Sequence, residues 1–342
     1  MNKNRGPMPV AFFGIAVGAL AMANAWRVAE RIWSVPAAVE HLLTLAALAV
    51  WIAVLAGYAH KWLVHRDAAI AEMQHPVQSS FAALGPVSSL LAAQALIHYS
   101  WPLAFAVFVV AAASALAIGV YLHGRFWQGG RKAELTTPAI YLPSVGTSFV
   151  AGTTAAAFGW TQLGALFFGA GVLSWLALES MILQRAAVHE PLPDALRPTL
   201  GIQLAPPVVG GVTYMSITSG TPDVFAMILL GYGLYQALLL LRLLPWIRKQ
   251  AFTPSYWAFS FGVAALPTLA MRMVERGSTG LVAWLAPSLF IAANVVIGML
   301  VVKTVALMSR GELLPAALAQ PEPSSAREAA DQRMNVPTPS SS

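Results

Sequence analysis

Runs of about 20 predominantly apolar residues recur from one end of this chain to the other, and few charges interrupt them. Wound as an α-helix at about 1.5 Å per residue, a run of that length crosses about 30 Å of hydrocarbon. Ten spans are read, at 9–28, 37–59, 76–98, 102–123, 138–158, 162–187, 199–219, 222–244, 254–275 and 280–307. Of 342 residues, 58% are hydrophobic and 10% charged, against about 25% charged in a soluble domain. Such a chain cannot solvate its surface as a soluble monomer. The runs are continuous rather than alternating, which excludes a transmembrane β-barrel. The fold class is an all-α membrane protein.

The intervals 99–101, 159–161 and 220–221 are short enough to force tight antiparallel hairpins. Slightly longer links join spans 1/2 and 9/10, so five helical hairpins follow one another as an internal repeat. Lys and Arg concentrate in the N-terminus, the even-to-odd loops and the C-terminal segment. The opposite side holds Arg27, Arg31, Arg272 and Arg276. The positive-inside rule then puts both termini in the cytoplasm. Residues 1–8 read as a cytoplasmic N-terminus with no cleavable signal, and 9–309 as the ten-helix transmembrane domain. Residues 310–342, rich in Pro, Ser, Ala and Glu, read as a disordered cytoplasmic tail. The net charge of +6 serves orientation and does not suggest nucleic acid. With no cysteine there is no disulfide framework or thiolate metal site.

The spans are of two kinds. The stretch Pro254 to Met273 carries Ser260, Gly262, Pro267 and Thr268, each a helix-weakening or polar residue. The other odd spans share this style. Spans 2, 4, 6 and 8 are smooth Leu/Ala/Val runs without internal proline; span 10 departs only through Pro287. A mid-helix proline removes one backbone bond and frees a carbonyl. Freed backbone groups are too costly against lipid tails and must face protein or a water-filled cavity. The odd helices are therefore expected inside, lining a pore, with the even helices outside. The pairs Phe13-Gly14, Gly85-Pro86, Leu142-Pro143, Ala205-Pro206 and Phe261-Gly262 fall at equivalent positions. Five equivalent kinks imply a quasi-fivefold arrangement about a central axis.

No Asp or Glu lies inside an odd span before Glu275, which excludes a cation filter of acidic rings. No buried Lys or Arg is expected there either, so the path reads as apolar and hydroxyl-lined. Helix-end dipoles then give weak anion selectivity. Phe261 is the first candidate for a plug, with packing between helices as its alternative role. Glu179, inside span 6, is expected in a structural ion pair with Arg242 or in hydrogen bonds to helix ends, with proton coupling as the other reading. His60, His65 and His75 match no zinc spacing. No metal, cofactor or catalytic arrangement is legible, so the chain is not read as an enzyme.

The segments HPVQSSF (75–81), TTPAIYLP (136–143), SWLALESMILQR (174–185), LGIQLAPP (200–207), GYGLYQALLLLRLLPW (231–246) and YWAFSFGVAAL (256–266) resemble the tellurite-resistance/dicarboxylate transporter family. That family includes bacterial TehA and the slow-type anion channels of plant guard cells. The resemblance covers about residues 8–310. It implies ten helices in five hairpins, a homotrimer with one pore per subunit, and a gating phenylalanine that falls on Phe261. Plant members have proline after that phenylalanine, where this chain has Gly262. The implied function is an anion channel of the bacterial inner membrane, associated with tellurite resistance and passing small inorganic or organic anions. The alternative is a proton-coupled dicarboxylate carrier or tellurite exporter. A carrier calls for a titratable group or cationic clamp at mid-membrane on the inner helices, and the sequence shows none.

Overall fold

The computed structural model describes residues 6–314, and all regular structure among them is helical. The helices are α1 (Phe13–Trp33), α2 (Ala37–Val64), α3 (Arg66–Gln74), α4 (Gln78–Phe81), α5 (Leu84–Leu96) and α6 (Trp101–Trp127). They continue as α7 (Thr147–Ala157), α8 (Thr161–Val188), α9 (Ala205–Ile217), α10 (Val224–Ile247), α11 (Ser260–Glu275) and α12 (Leu281–Arg310). Residues 1–5 of the expected N-terminal segment, and the expected tail from 315 onward, lie outside the described residues.

Five of these helices are long and continuous: α2, α6, α8, α10 and α12 run for 24 to 30 residues each. The helices between them are shorter, and each follows a distorted lead-in. Single 3₁₀ segments precede α1 (Val10–Phe12), α9 (Asp194–Leu204) and α11 (Pro254–Phe259), and the four-residue α4 precedes α5. A 3₁₀ turn (Pro138–Tyr141) and a π-turn (Leu142–Gly146) precede α7. Among the described residues, nine helical segments are long and apolar enough to cross a membrane. The stretch 138–157, expected as a further span, divides instead into 3₁₀, π and α pieces.

The expected mid-helix kinks are therefore something slightly different: changes of helix type at the start of an α-helix. Gly14 is the second residue of α1, Gly85 and Pro86 are the second and third of α5, Pro206 is the second of α9, and Gly262 is the third of α11. In a first turn the backbone N–H has no intrahelical acceptor, so proline costs nothing there. The same residues would break a helix one or two turns later.

Burial separates the two kinds. In the spans containing α1, α5, α9 and α11, 67–78% of the core window is buried inside the protein, against 22–33% for the long helices. The outward faces of the long helices carry exposed Leu42, Ile52, Val110, Leu166, Leu238 and Ile291. That surface suits acyl chains and is unsuited to water. Around the interior, α1 packs on α5, α5 on α7, α7 on α9, α9 on α11, and α11 back on α1. Each of these five also packs against the long helix that follows it.

Small residues set the closest approaches. A Cβ on Gly152 of α7 would lie 3.0 Å from the Gly164 carbonyl oxygen of α8, and one on Gly164 would lie 2.9 Å from the Gly152 oxygen. The turn between these helices closes through Gly159, at φ +83°. Gly119 of α6 admits the Pro143 carbonyl oxygen, 2.6 Å from where a Cβ would sit. That carbonyl accepts the Thr147 hydroxyl at 2.6 Å, which satisfies a group in the π-turn.

The start of the α1 segment is held from a distance. Glu72 of α3 accepts the Val10 N–H at 2.9 Å and pairs with Lys61 of α2 at 2.7 Å. Both side chains are nearly inaccessible, at 4% for Lys61 and 11% for Glu72. Removing one partner of such a pair leaves a buried charge uncompensated. Glu72→Ala is expected to lower stability by about 3 kcal/mol, read as a drop in thermal unfolding temperature in detergent. An exposed control, Glu134→Ala, is expected to leave that temperature unchanged.

Candidate pore and gate

Two cavities lie along the axis enclosed by α1, α5, α7, α9 and α11. One is bounded by residues nearer the C-terminal ends of these helices, among them Asn24, Gln94, Thr153 and Thr268, and has a volume of about 30 Å³. The other is bounded nearer the N-terminal ends by Leu84, Val145, Ile202 and Pro206, and has a volume of about 20 Å³. Phe261 and Val209 border both cavities. The Phe261 ring thus stands where the two approach each other.

The cavities differ in chemistry. The second is walled by hydrocarbon, with Tyr141 as the one residue carrying a polar side-chain atom. The first gathers two amides and two hydroxyls from four helices. Thr268 donates to the Ala264 carbonyl at 2.7 Å, and Thr153 is 2.9 Å from the Thr213 hydroxyl. Their protons are therefore committed within the protein. Gln94 uses one N–H on Thr154 at 2.8 Å and keeps its second. Asn24 has no hydrogen-bond partner among the described residues, so free amide donors come from Asn24 and Gln94. Neither stands out by residue type or spacing: each is one polar residue on a helix whose facing direction only the packing reveals.

The repeat positions do not all reach the axis. Leu142, Ala205, Pro206 and Phe261 border the second cavity. Phe13, Gly85 and Pro86 border a lateral pocket with Trp51 and Tyr58 instead. Phe13 packs edge-on against Tyr58 at 5.3 Å between centroids. Phe13 opens α1, whereas Phe261 is the second residue of α11. Gly14, Pro143 and Gly262 border neither axial cavity: a Cβ on Gly14 would face Trp257, and one on Gly262 would sit 2.8 Å from Leu204 Cβ.

Arginines gather beyond the polar cavity. Arg272 follows Thr268 by one helical turn on α11, and Ser216 follows Val212 likewise on α9, so both continue the cavity's wall. Arg272 donates to the Ser216 hydroxyl. It is half-buried, and its Nε is shielded from solvent without a partner among the described residues. This corrects the expectation that no buried basic residue lies in the odd spans. Arg276 donates to the carbonyls of Gly220 at 2.6 Å and Met215 at 3.0 Å. Arg27 pairs with Glu40 at 2.8 Å and Arg31 with Glu275 at 2.5 Å. Among the described residues, Arg272 and Arg276 pair with no carboxylate, while Glu30 and Asp223 on the same side pair with no cation, so this mouth carries charge of both signs.

Glu179 is not paired with Arg242. Its carboxylate accepts from Tyr141, from Trp175 Nε1 at 2.8 Å, from Gln203 Nε2 at 2.9 Å and from the Tyr232 hydroxyl at 2.9 Å. Arg242 is exposed. It lies six residues beyond Gln236, a Glu179 neighbour on α10, and so points about 240° around that helix. Neutral donors from four elements surround the carboxylate, as a charge inside a membrane protein requires. The acceptor ties the 3₁₀ lead-ins of α7 and α9, through Tyr141 and Gln203, to the long helices α8 and α10.

Residues 7–305 match a family described as SLAC1, voltage-dependent anion channel. A tellurite resistance protein TehA homolog from Haemophilus influenzae is 34% identical over 307 residues, covering 90% of this chain and 92% of that protein. The chain belongs to this family. The S-type anion channel SLAH2 of Arabidopsis thaliana is 23% identical over 78% of this chain and 53% of its own length. The guard cell S-type anion channel SLAC1 of the same plant is 21% identical over 78% of this chain and 50% of its own length. The chain thus spans about half the length of these plant relatives.

Glu179→Ala is expected to lower stability by about 2–3 kcal/mol, because three buried donors, Tyr141, Trp175 and Gln203, lose their acceptor at once. Thermal unfolding in detergent reads the change. Glu179→Gln retains one acceptor oxygen and is expected to lose less, whereas Arg242→Ala is expected to lose almost nothing.

Proposed function

We propose that the chain is an anion channel whose path follows the axis of the five shorter helices and is closed by Phe261. The observation that carries this reading is the position of Phe261 in the walls of both axial cavities. Two further features support it. Among the described residues no carboxylate borders either cavity, and Arg272 continues the wall of the polar one without a carboxylate partner, an arrangement that favours anions over cations. The family description and the printed names of the plant relatives agree with anion conduction. No His, Asp or Glu borders the path where a proton-coupled carrier would use one, which favours a channel over a carrier.

Further features belong to the same proposal. The stretch 138–157 counts as the tenth membrane segment. Ten segments pair as five hairpins about a quasi-fivefold axis, a reading supported by the cyclic packing of the five inner helices. The protein sits in a bacterial inner membrane with both ends in the cytoplasm, as the uneven loop charges favour. Three copies associate, each with its own path.

Planar-bilayer recording tests the gate. Phe261→Ala is expected to join the two cavities and raise anion current at least about tenfold over the wild type, while Phe13→Ala leaves it near the wild-type level. Equal currents in Phe261→Ala and wild type would remove Phe261 as the gate. In the Phe261→Ala background, Arg272→Gln is expected to move the reversal potential in a salt gradient toward that of a cation-permeable pore. An unmoved potential would free the selectivity argument from Arg272.

A further inference from the structure

Away from the axis, a pocket of about 250 Å³ opens where the ends of α6 and α8 meet the connection leading to α7. Its walls combine Phe126, Ile140 and Met181 with Arg131, Arg185 and His189. Arg185 decides its character. The residue is 6% exposed, yet among the described residues no acceptor lies within hydrogen-bond reach of its guanidinium, and its Nε is shielded from water. A buried guanidinium without a counter-charge is costly to maintain. No carboxylate borders the pocket, and nearby Glu134 is exposed outside its wall.

Arg131 repeats the pattern in part. Its two Nη groups are held by the carbonyls of Pro76 at 2.9 Å and Leu135 at 2.7 Å. Its Nε is buried and without a partner among the described residues. Its guanidinium also lies over the Phe126 ring, 5.3 Å from the centroid. The carbonyls therefore fix the guanidinium and leave three of its five N–H donors unspent. An exposed imidazole, His189, completes the basic side. Guanidinium groups suit the oxygens of a phosphate, to which they donate in parallel. The apolar wall suits the carbon skeleton beside it. The pocket lies at the end of the bundle with the basic loops, where anionic headgroups and cytosolic anions are both within reach.

We propose that this pocket binds a phosphate group, with Arg185 as its principal donor and Arg131 and His189 beside it. The phosphate can arrive on an anionic lipid or free in solution. Native mass spectrometry of the purified full chain tests the first source, with phosphatidylglycerol or phosphatidylcholine supplied in equal amounts. Isothermal titration of inorganic phosphate into the chain in phosphatidylcholine nanodiscs tests the second. The wild type is expected to retain phosphatidylglycerol about tenfold over phosphatidylcholine, or to bind phosphate with a saturable heat. Arg185→Gln is expected to abolish whichever is seen. Lipid preference without phosphate binding assigns the headgroup, and the reverse assigns the free anion. Arg131→Gln provides a second variant should Arg185→Gln fail to fold, and is expected to weaken the same signal several-fold. Equal lipid retention and equal phosphate heats in wild type and in each folded variant overturn the proposal.

Discussion

A backbone N–H or C=O without a partner cannot be left against hydrocarbon, and the arrangement of this chain follows from that rule. The long helices satisfy every internal bond along their own axes and can face lipid. Four of the shorter ones begin as 3₁₀ or π turns, whose bonding is poorer, α5 follows the short helix α4, and all five are shielded by the others. The prolines and glycines that force those turns lie mostly in first turns, where their missing or weakened bonds are least costly. The breaks then do two things at once. They keep the inner helices short, and they change side-chain register near mid-membrane, where Phe261 meets the axis.

Charge obeys the same rule with a different remedy. Lys61 and Glu72 pair with each other, and Arg27 pairs with Glu40. Glu179 has no cation beside it and is satisfied by neutral donors from four elements. The arginines at the polar mouth and in the pocket lined by Arg185 stand apart, because their donors exceed the acceptors the protein supplies. Excess donors on a family of anion-conducting proteins are most economically read as places where anions come and go.

Much of this was legible in the sequence because it rests on local properties. Span length, hydropathy and the alternation of smooth and broken segments each depend on about 20 neighbouring residues, and the burial of the two helix classes agrees with them. The change of helix type at each break was not legible, since Pro206 alone does not say whether it kinks a helix or begins one. Nor was the divergence of Phe13 from Phe261, since only packing places one in a lateral pocket and the other at the axis. Glu179 was visible as an unusual acid, but its partners come from residues 4 to 57 positions away. Arg242 looked suitable by depth and was excluded by its angle around α10. Asn24, Gln94 and Arg185 carry no local mark; only packing assigns them a cavity.

The central claim is that the broken helices surround a water path while the unbroken ones face lipid. The chain contains no cysteine, so single cysteines can be introduced and probed with a membrane-impermeant, negatively charged thiol reagent. In a Phe261→Ala background, cysteines at Val209, Gln94 and Thr268 should react, and the reaction should slow when a permeant anion is present in excess. Cysteines at Ile52, Val110 and Leu238, on the outward faces of long helices, should stay unlabelled in the bilayer. Labelling of the second set with protection of the first would contradict the account.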